Sequence, residues 1–152
     1  MARIKIGDVF EIETLNGIGL FQYVHKDKTM GHLIRILPIL YEEGYGIDDK
    51  LVEKKELYLI HFPLEAALRQ KIVTKIGNYS IPHDFMLPQS FRIQHKVDGE
   101  LICWHIVNYE TWKREKFVKL SDEQKLLSPW GTWNDTLLKE RLADGWTLAN
   151  WI

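Results

Sequence analysis

Ile4-Lys5-Ile6-Gly7-Asp8-Val9-Phe10-Glu11-Ile12-Glu13-Thr14-Leu15-Asn16-Gly17-Ile18-Gly19-Leu20-Phe21-Gln22-Tyr23-Val24-His25 is the stretch that decides the fold. Ile4, Ile6, Phe10 and Ile12 alternate with Arg3, Lys5, Glu11 and Glu13, the period of a strand with one buried face. Asn16-Gly17 sits between Leu15 and Ile18, and Asn-Gly between apolar runs predicts a two-residue hairpin because both residues tolerate positive φ. Residues 18–25 then form the second strand, residues 26–31 a polar turn and residues 32–37 the third strand of an antiparallel meander. The second and third strands carry apolar side chains on both faces (Leu20, Phe21, Tyr23, Val24; Leu33, Ile34, Ile36, Leu37). That pattern predicts a sheet covered on both sides or curled into a small barrel.

Working outward, Pro38 closes the meander and residues 39–41 continue it briefly. Residues 42–49 (Glu42-Glu43-Gly44-Tyr45-Gly46-Ile47-Asp48-Asp49) read as an acidic loop. Tyr58, Ile60 and Phe62 mark a strand over 57–62. Pro63 suits a first helical position, and Leu64, Ala67, Leu68 and Ile72 give a helix over 63–71 one apolar stripe. Residues 72–76 read as a strand ended by Gly77-Asn78, and residues 80–89, with Pro82 and Pro88, as irregular. Asp98-Gly99 predicts a second hairpin between residues 91–95 and 100–109. Residues 112–116 read as a charged link that leads through Phe117 to Leu120. Ser121 and Gln124 have capping-box spacing. A closing helix runs from Asn134 or Asp135 to about Asp144, with Gly145 just past its end. The tail carries Trp146, Leu148, Trp151 and Ile152 and is too apolar to stand free. The expected fold is α+β, mostly β: one domain over residues 1–152 on a strongly bent antiparallel sheet, barrel-like at the N-terminus in its extreme form, with a mid-chain helix and C-terminal helices.

The 152 residues suffice for a sizeable core. Twenty basic against twenty-one acidic residues leave a net charge of -1, which argues against wholesale binding to nucleic acid or a membrane surface. A single cysteine, Cys103, allows no internal disulfide. The first residues alternate Ile with Arg and Lys and carry no apolar signal region. Together these predict a cytoplasmic protein.

Catalytic signals are sparse. Cys103 and His105 share one face of a strand and are the one imaginable nucleophile–base pair, serving a small hydrolase. The blander reading of Cys103 is a small buried hydrophobe. His61 and the pair His83-Asp84 become metal ligands only if the fold gathers them, and no metal-ligand spacing is present. Neither a metal nor a cofactor is expected. Gly17-Ile18-Gly19 and Gly44-Tyr45-Gly46 are too short to cradle a phosphate. Lys113, Arg114, Lys116 and Lys119 surround Trp112 and Phe117, a pattern that serves single-stranded nucleic acid. Glu110 and Glu115 interrupt it, so a solvated edge is the alternative and no nucleic-acid partner is expected. Trp130, Trp133, Trp146 and Trp151 form either an exposed platform or a pin between helix and sheet.

Lys5-Ile6-Gly7-Asp8-Val9-Phe10-Glu11-Ile12, a hairpin turn and Gly19-Leu20-Phe21-Gln22-Tyr23-Val24 resemble the opening of the immunity protein 26 family of bacterial polymorphic toxin systems. Phe62, the striped helix, Ile76-Gly77 and Pro82 are similar to that family's middle segment, and Pro88 to its proline-then-aromatic step through Phe91 and Arg92. Leu137, Leu138, Glu140, Arg141, Leu142 and Gly145-Trp146 are similar to its closing helix. An aromatic expected just before Ile76-Gly77 is missing, and Lys75 stands there instead. The resemblance implies a non-enzymatic immunity protein that neutralises a cognate toxin domain, a nuclease for example, by stoichiometric contact. On residue chemistry, the expected partner-binding residues are Glu42, Glu43, Tyr45, Asp48 and Asp49: acids to attract a basic cleft, with an aromatic anchor between two glycines.

Overall fold

The computed structural model describes residues 3–151; Ile152, expected to pack with the tail, lies outside them. Strands β1 (Asp8–Thr14), β2 (Gly17–Asp27) and β3 (Gly31–Ile36) form the expected meander. The first strand begins at Asp8, so Ile6 is half exposed at 49% rather than buried in a strand. The β1–β2 turn also falls one residue early. Leu15 and Asn16 occupy it, and Thr14 pairs with Gly17. Thr14 Oγ1 donates to the Gly17 carbonyl at 2.7 Å and accepts from the Asn16 N–H at 3.2 Å. That local bonding holds the tighter turn, and the glycine supplies the left-handed residue that follows it, at φ 144°.

Strand β4 (Tyr58–His61) joins the outer edge of β3, and β5 (Val73–Asn78) crosses over to pair with β1. The five-stranded order is therefore β4-β3-β2-β1-β5. A separate three-stranded sheet holds β6 (Ser90–Val97), β7 (Glu100–Asn108) and β8 (Arg114–Phe117) in that order. Asp98 at φ 51° and Gly99 at φ 82° make the predicted turn with both central residues left-handed. Residues 114–117 form a strand where the sequence predicts a charged link over 112–116. Their charges hide it, because an edge strand with one face in water has no need of an apolar run.

Neither sheet closes or curls strongly, which corrects the bent, barrel-like expectation. The apolar residues on both faces of the meander have a different cause: both faces are covered. Phe10, Ile12, Phe21, Ile34, Ile36, Tyr58 and Ile60 meet α2 (Leu64–Arg69), α3 (Asp135–Ala143), Trp133 and Trp146. On the other face, Val24, Leu33 and Leu59 meet Phe91, Val107, Tyr109 and Trp130 of the second sheet region. Leu20 and Leu37 meet Leu51 of a one-turn helix, α1 (Asp49–Val52). The helix α3 is N-capped by Asn134, whose side chain accepts from the Leu137 N–H at 2.8 Å. It approaches β2 so closely that a Cβ on Gly19 would lie 2.7 Å from a Leu142 methyl, so a larger residue there would displace the Leu142 side chain.

Residues 128–133 tie the sheets together. The Arg92 N–H donates to the Ser128 carbonyl, the Trp130 N–H to the Arg92 carbonyl and the Trp133 N–H to the His61 carbonyl. One segment thus occupies the outer edges of both β6 and β4. The Arg92 side chain locks the same region. It is fully buried and donates to the carbonyls of Lys125, Leu127, Leu148 and Trp151 at 2.8–3.0 Å. Its guanidinium lies 4.9 Å from the Trp104 ring centroid and 4.8 Å from that of Trp151. Burial holds its pKa down to about 10. Among the described residues, no helix is long and apolar enough to cross a membrane.

Candidate partner-binding surface

Glu42 and Glu43 are exposed on the loop that leaves the sheet at Tyr41, whose backbone pairs with Ile18. The loop ends sooner than the sequence suggests, because Asp48 and Asp49 begin α1. The Asp48 carboxylate accepts from the Leu51 N–H at 2.9 Å, the bonding of a helix N-cap, and Asp49 sits in the first turn. Both remain exposed. Tyr45 is half-buried and folded back on the body. Its hydroxyl donates to Glu11 Oε2 at 2.8 Å and its ring centroid lies 5.1 Å from that of Tyr41. Burial and the Glu11 carboxylate both push the Tyr45 pKa up. The four acids therefore share an exposed corner, while Tyr45 braces the loop that carries them.

Two large apolar residues are exposed on the α3 side of the sheet, apart from the face on which Tyr45 and α1 pack. Ile39 is 59% exposed at φ 75°, a left-handed conformation that a β-branched residue rarely takes. Leu15, at the tip of the β1–β2 turn, is 96% exposed. The neighbouring Asn16 donates through Nδ2 to the Ala143 carbonyl at 2.8 Å, which anchors that turn to the end of α3. Between α3 and residues 37–40 runs a groove of about 350 Å³, lined by Leu37, Leu40, Leu57, Leu142 and Trp146 with Arg141 among them. Sequence reasoning missed Ile39, Leu15 and the groove. A run of acids is visible in one dimension, but the groove depends on a strained turn and on where α3 ends.

The other sequence candidates sit in separate local settings. Cys103 is buried, and among the described residues no hydrogen bond joins it to His105. The His105 ring instead stacks on His95 at 5.3 Å, with its Nδ1 3.3 Å from an Arg114 guanidinium nitrogen. Burial, with Arg114, His95 and Lys116 nearby, lowers the His105 pKa. His61 is fully buried between the sheets, its Nε2 2.8 Å from the Tyr109 hydroxyl. Its Nδ1 has no partner among the described residues. An unpaired acceptor is tolerated better than an unpaired donor, so we assign the ring proton to Nε2, which donates to Tyr109. Burial lowers the His61 pKa to about 4 and keeps the ring neutral. His83 and Asp84 are exposed, and among the described residues no group of three His, Cys, Asp or Glu side chains could hold a metal ion.

Trp112 is 41% exposed and meets Trp130 edge-on at 5.6 Å. Arg114 and Lys116 lie on β8, with Glu115 between them, as on a charged sheet edge. Trp130, Trp133 and Trp146 are buried and Trp151 is half-buried, so these four pin the C-terminal elements rather than form a platform.

Comparison with family models, with curated proteins and with solved structures finds no match in any of the three.

Proposed function

We propose that this chain is an immunity-type inhibitor that binds one cognate toxin domain stoichiometrically and neutralises it. The observation that carries the reading is the loop itself: Glu42, Glu43, Asp48 and Asp49 are all exposed, and Ile39, three residues before Glu42 in the chain, is exposed as well. Acids on a rim steer a basic partner into encounter and set the salt dependence of association. Apolar side chains at the centre of a contact supply most of its holding energy. The local resemblance of the opening strands and the closing helix to immunity protein 26 sequences supports the same class.

The test replaces the four acids together (Glu42→Gln, Glu43→Gln, Asp48→Asn, Asp49→Asn) and measures binding to a candidate cognate toxin domain. Asn at position 48 preserves the cap, since Asn and Asp serve equally there. The expected result is an intact fold, a slower association rate and a flatter dependence on ionic strength. Equal rates for parent and variant would move the contact surface elsewhere, and no binding by the parent chain would end the reading.

A further inference from the structure

We infer that the groove between α3 and residues 37–40 receives the C-terminal residue of a polypeptide, an apolar side chain beside a free carboxylate. The inference stands on the groove alone and holds whether or not the acidic corner binds a toxin. Leu37, Leu40, Leu57, Leu142 and Trp146 make its walls apolar, and about 350 Å³ has room for one apolar side chain and its carboxylate.

Arg141 is the cation of the lining. Its guanidinium carbon lies 4.9 Å from the Trp146 ring centroid, which fixes its position. Among the described residues it makes no ion pair and no hydrogen bond, and its Nε is covered and unpartnered. The two fully buried guanidines behave otherwise. Arg35 donates to Gln22 and to the Lys54 and Val52 carbonyls, with Glu56 at 3.5 Å, and Arg92 donates to four carbonyls. A guanidinium left idle at the wall of an apolar groove matches a carboxylate, which it can grip through two parallel N–H bonds. The Tyr58 hydroxyl, on a residue 2% exposed whose ring centroid is 5.2 Å from that of Trp146, is a second polar group without a partner behind the same wall.

Asp144 also lines the groove. It repels an anion, so the carboxylate belongs at the Arg141 wall and the side chain among the leucines. Ile39 stands at the rim, held out at its left-handed φ of 75°.

The probe is N-acetyl-glycyl-leucine with a free carboxylate, compared with its C-terminal amide. Both are titrated against the full chain near about pH 7, where the carboxylate is ionised, while the Trp146 indole and Arg141 Nε–H resonances are followed. The acid should bind saturably and about tenfold tighter than the amide, the worth of one charge-assisted contact. Arg141→Gln should bring the acid down to the level of the amide. Ile39→Asp adds a negative charge at the rim and should weaken the acid more than the amide. That rim variant keeps the core intact and stands in if Arg141→Gln fails to fold. Equal binding of acid and amide, indifference of the acid to both variants, or no movement of Trp146 at the solubility limit would each overturn the inference.

Discussion

Arg92 and Arg141 both lie against tryptophan rings, but their surroundings are opposite. Arg92 is sealed between Trp104 and Trp151 with four carbonyls on its donors. Three of those carbonyls belong to the short helical turns Gln124–Leu126 and Leu148–Asn150 and the residue just past the second, and the fourth is that of Leu127. A buried cation fully solvated by backbone is architecture: it fastens the C-terminal segments to β6. Arg141 keeps one ring contact and uses none of its donors among the described residues. Buried polar groups cost free energy when unpaired. The contrast therefore separates the part of the molecule that holds itself together from the part left open to something else.

The largest effect is expected at the clamp. Arg92→Ala leaves four carbonyls without their donor and should cost about 3–5 kcal/mol in urea unfolding. Arg92→Lys should recover only part of the loss, because an ammonium cannot fill the slot between two rings with planar donors. A small loss for either variant would break the contrast. His61 sharpens it through pH. Its folded pKa, about 4, lies below its ordinary 6.5, so the unfolded chain takes up a proton that the folded one refuses. Its contribution is whole above pH 6.5 and falls as pH drops toward 4, by as much as ~3 kcal/mol. His61→Gln should flatten stability against pH in that window. On the open side the sign reverses. Ile39→Asn relieves a left-handed β-branched residue and should stabilise the fold by about 1 kcal/mol while weakening carboxylate binding in the groove. Smallest of all, Glu42→Gln with Glu43→Gln should shift stability by less than about 0.5 kcal/mol.

Much of the fold is legible along the chain, and the failures have physical causes. Asp98-Gly99 acts locally, so residue type alone places it, and the start of α3 is bracketed to Asn134 or Asp135 by residue type, with the cap itself seen only in the structure. Asn16-Gly17 misleads by one position because Thr14 offers its hydroxyl to the turn. β8 is hidden because a charged edge strand carries no apolar period. Two-sided burial looks the same whether a sheet curls or is sandwiched, so the sequence predicts bending where the sheet stays open. Of the candidate surface, the acids can be read directly. Arg141 and Ile39 cannot, since one matters for partners it lacks and the other for a dihedral angle. The Arg92 clamp is equally invisible, with acceptors from 33 to 59 residues away.

The central claim is that the acidic surface carrying Glu42, Glu43, Asp48 and Asp49 is where a partner binds. Growth rescue tests it most directly. Cells expressing a candidate cognate toxin domain are given either the parent chain or the variant Glu42→Gln/Glu43→Gln/Asp48→Asn/Asp49→Asn, at equal measured levels of folded protein. The account predicts that the parent restores growth and the variant does not; rescue by the variant equal to that of the parent would contradict it.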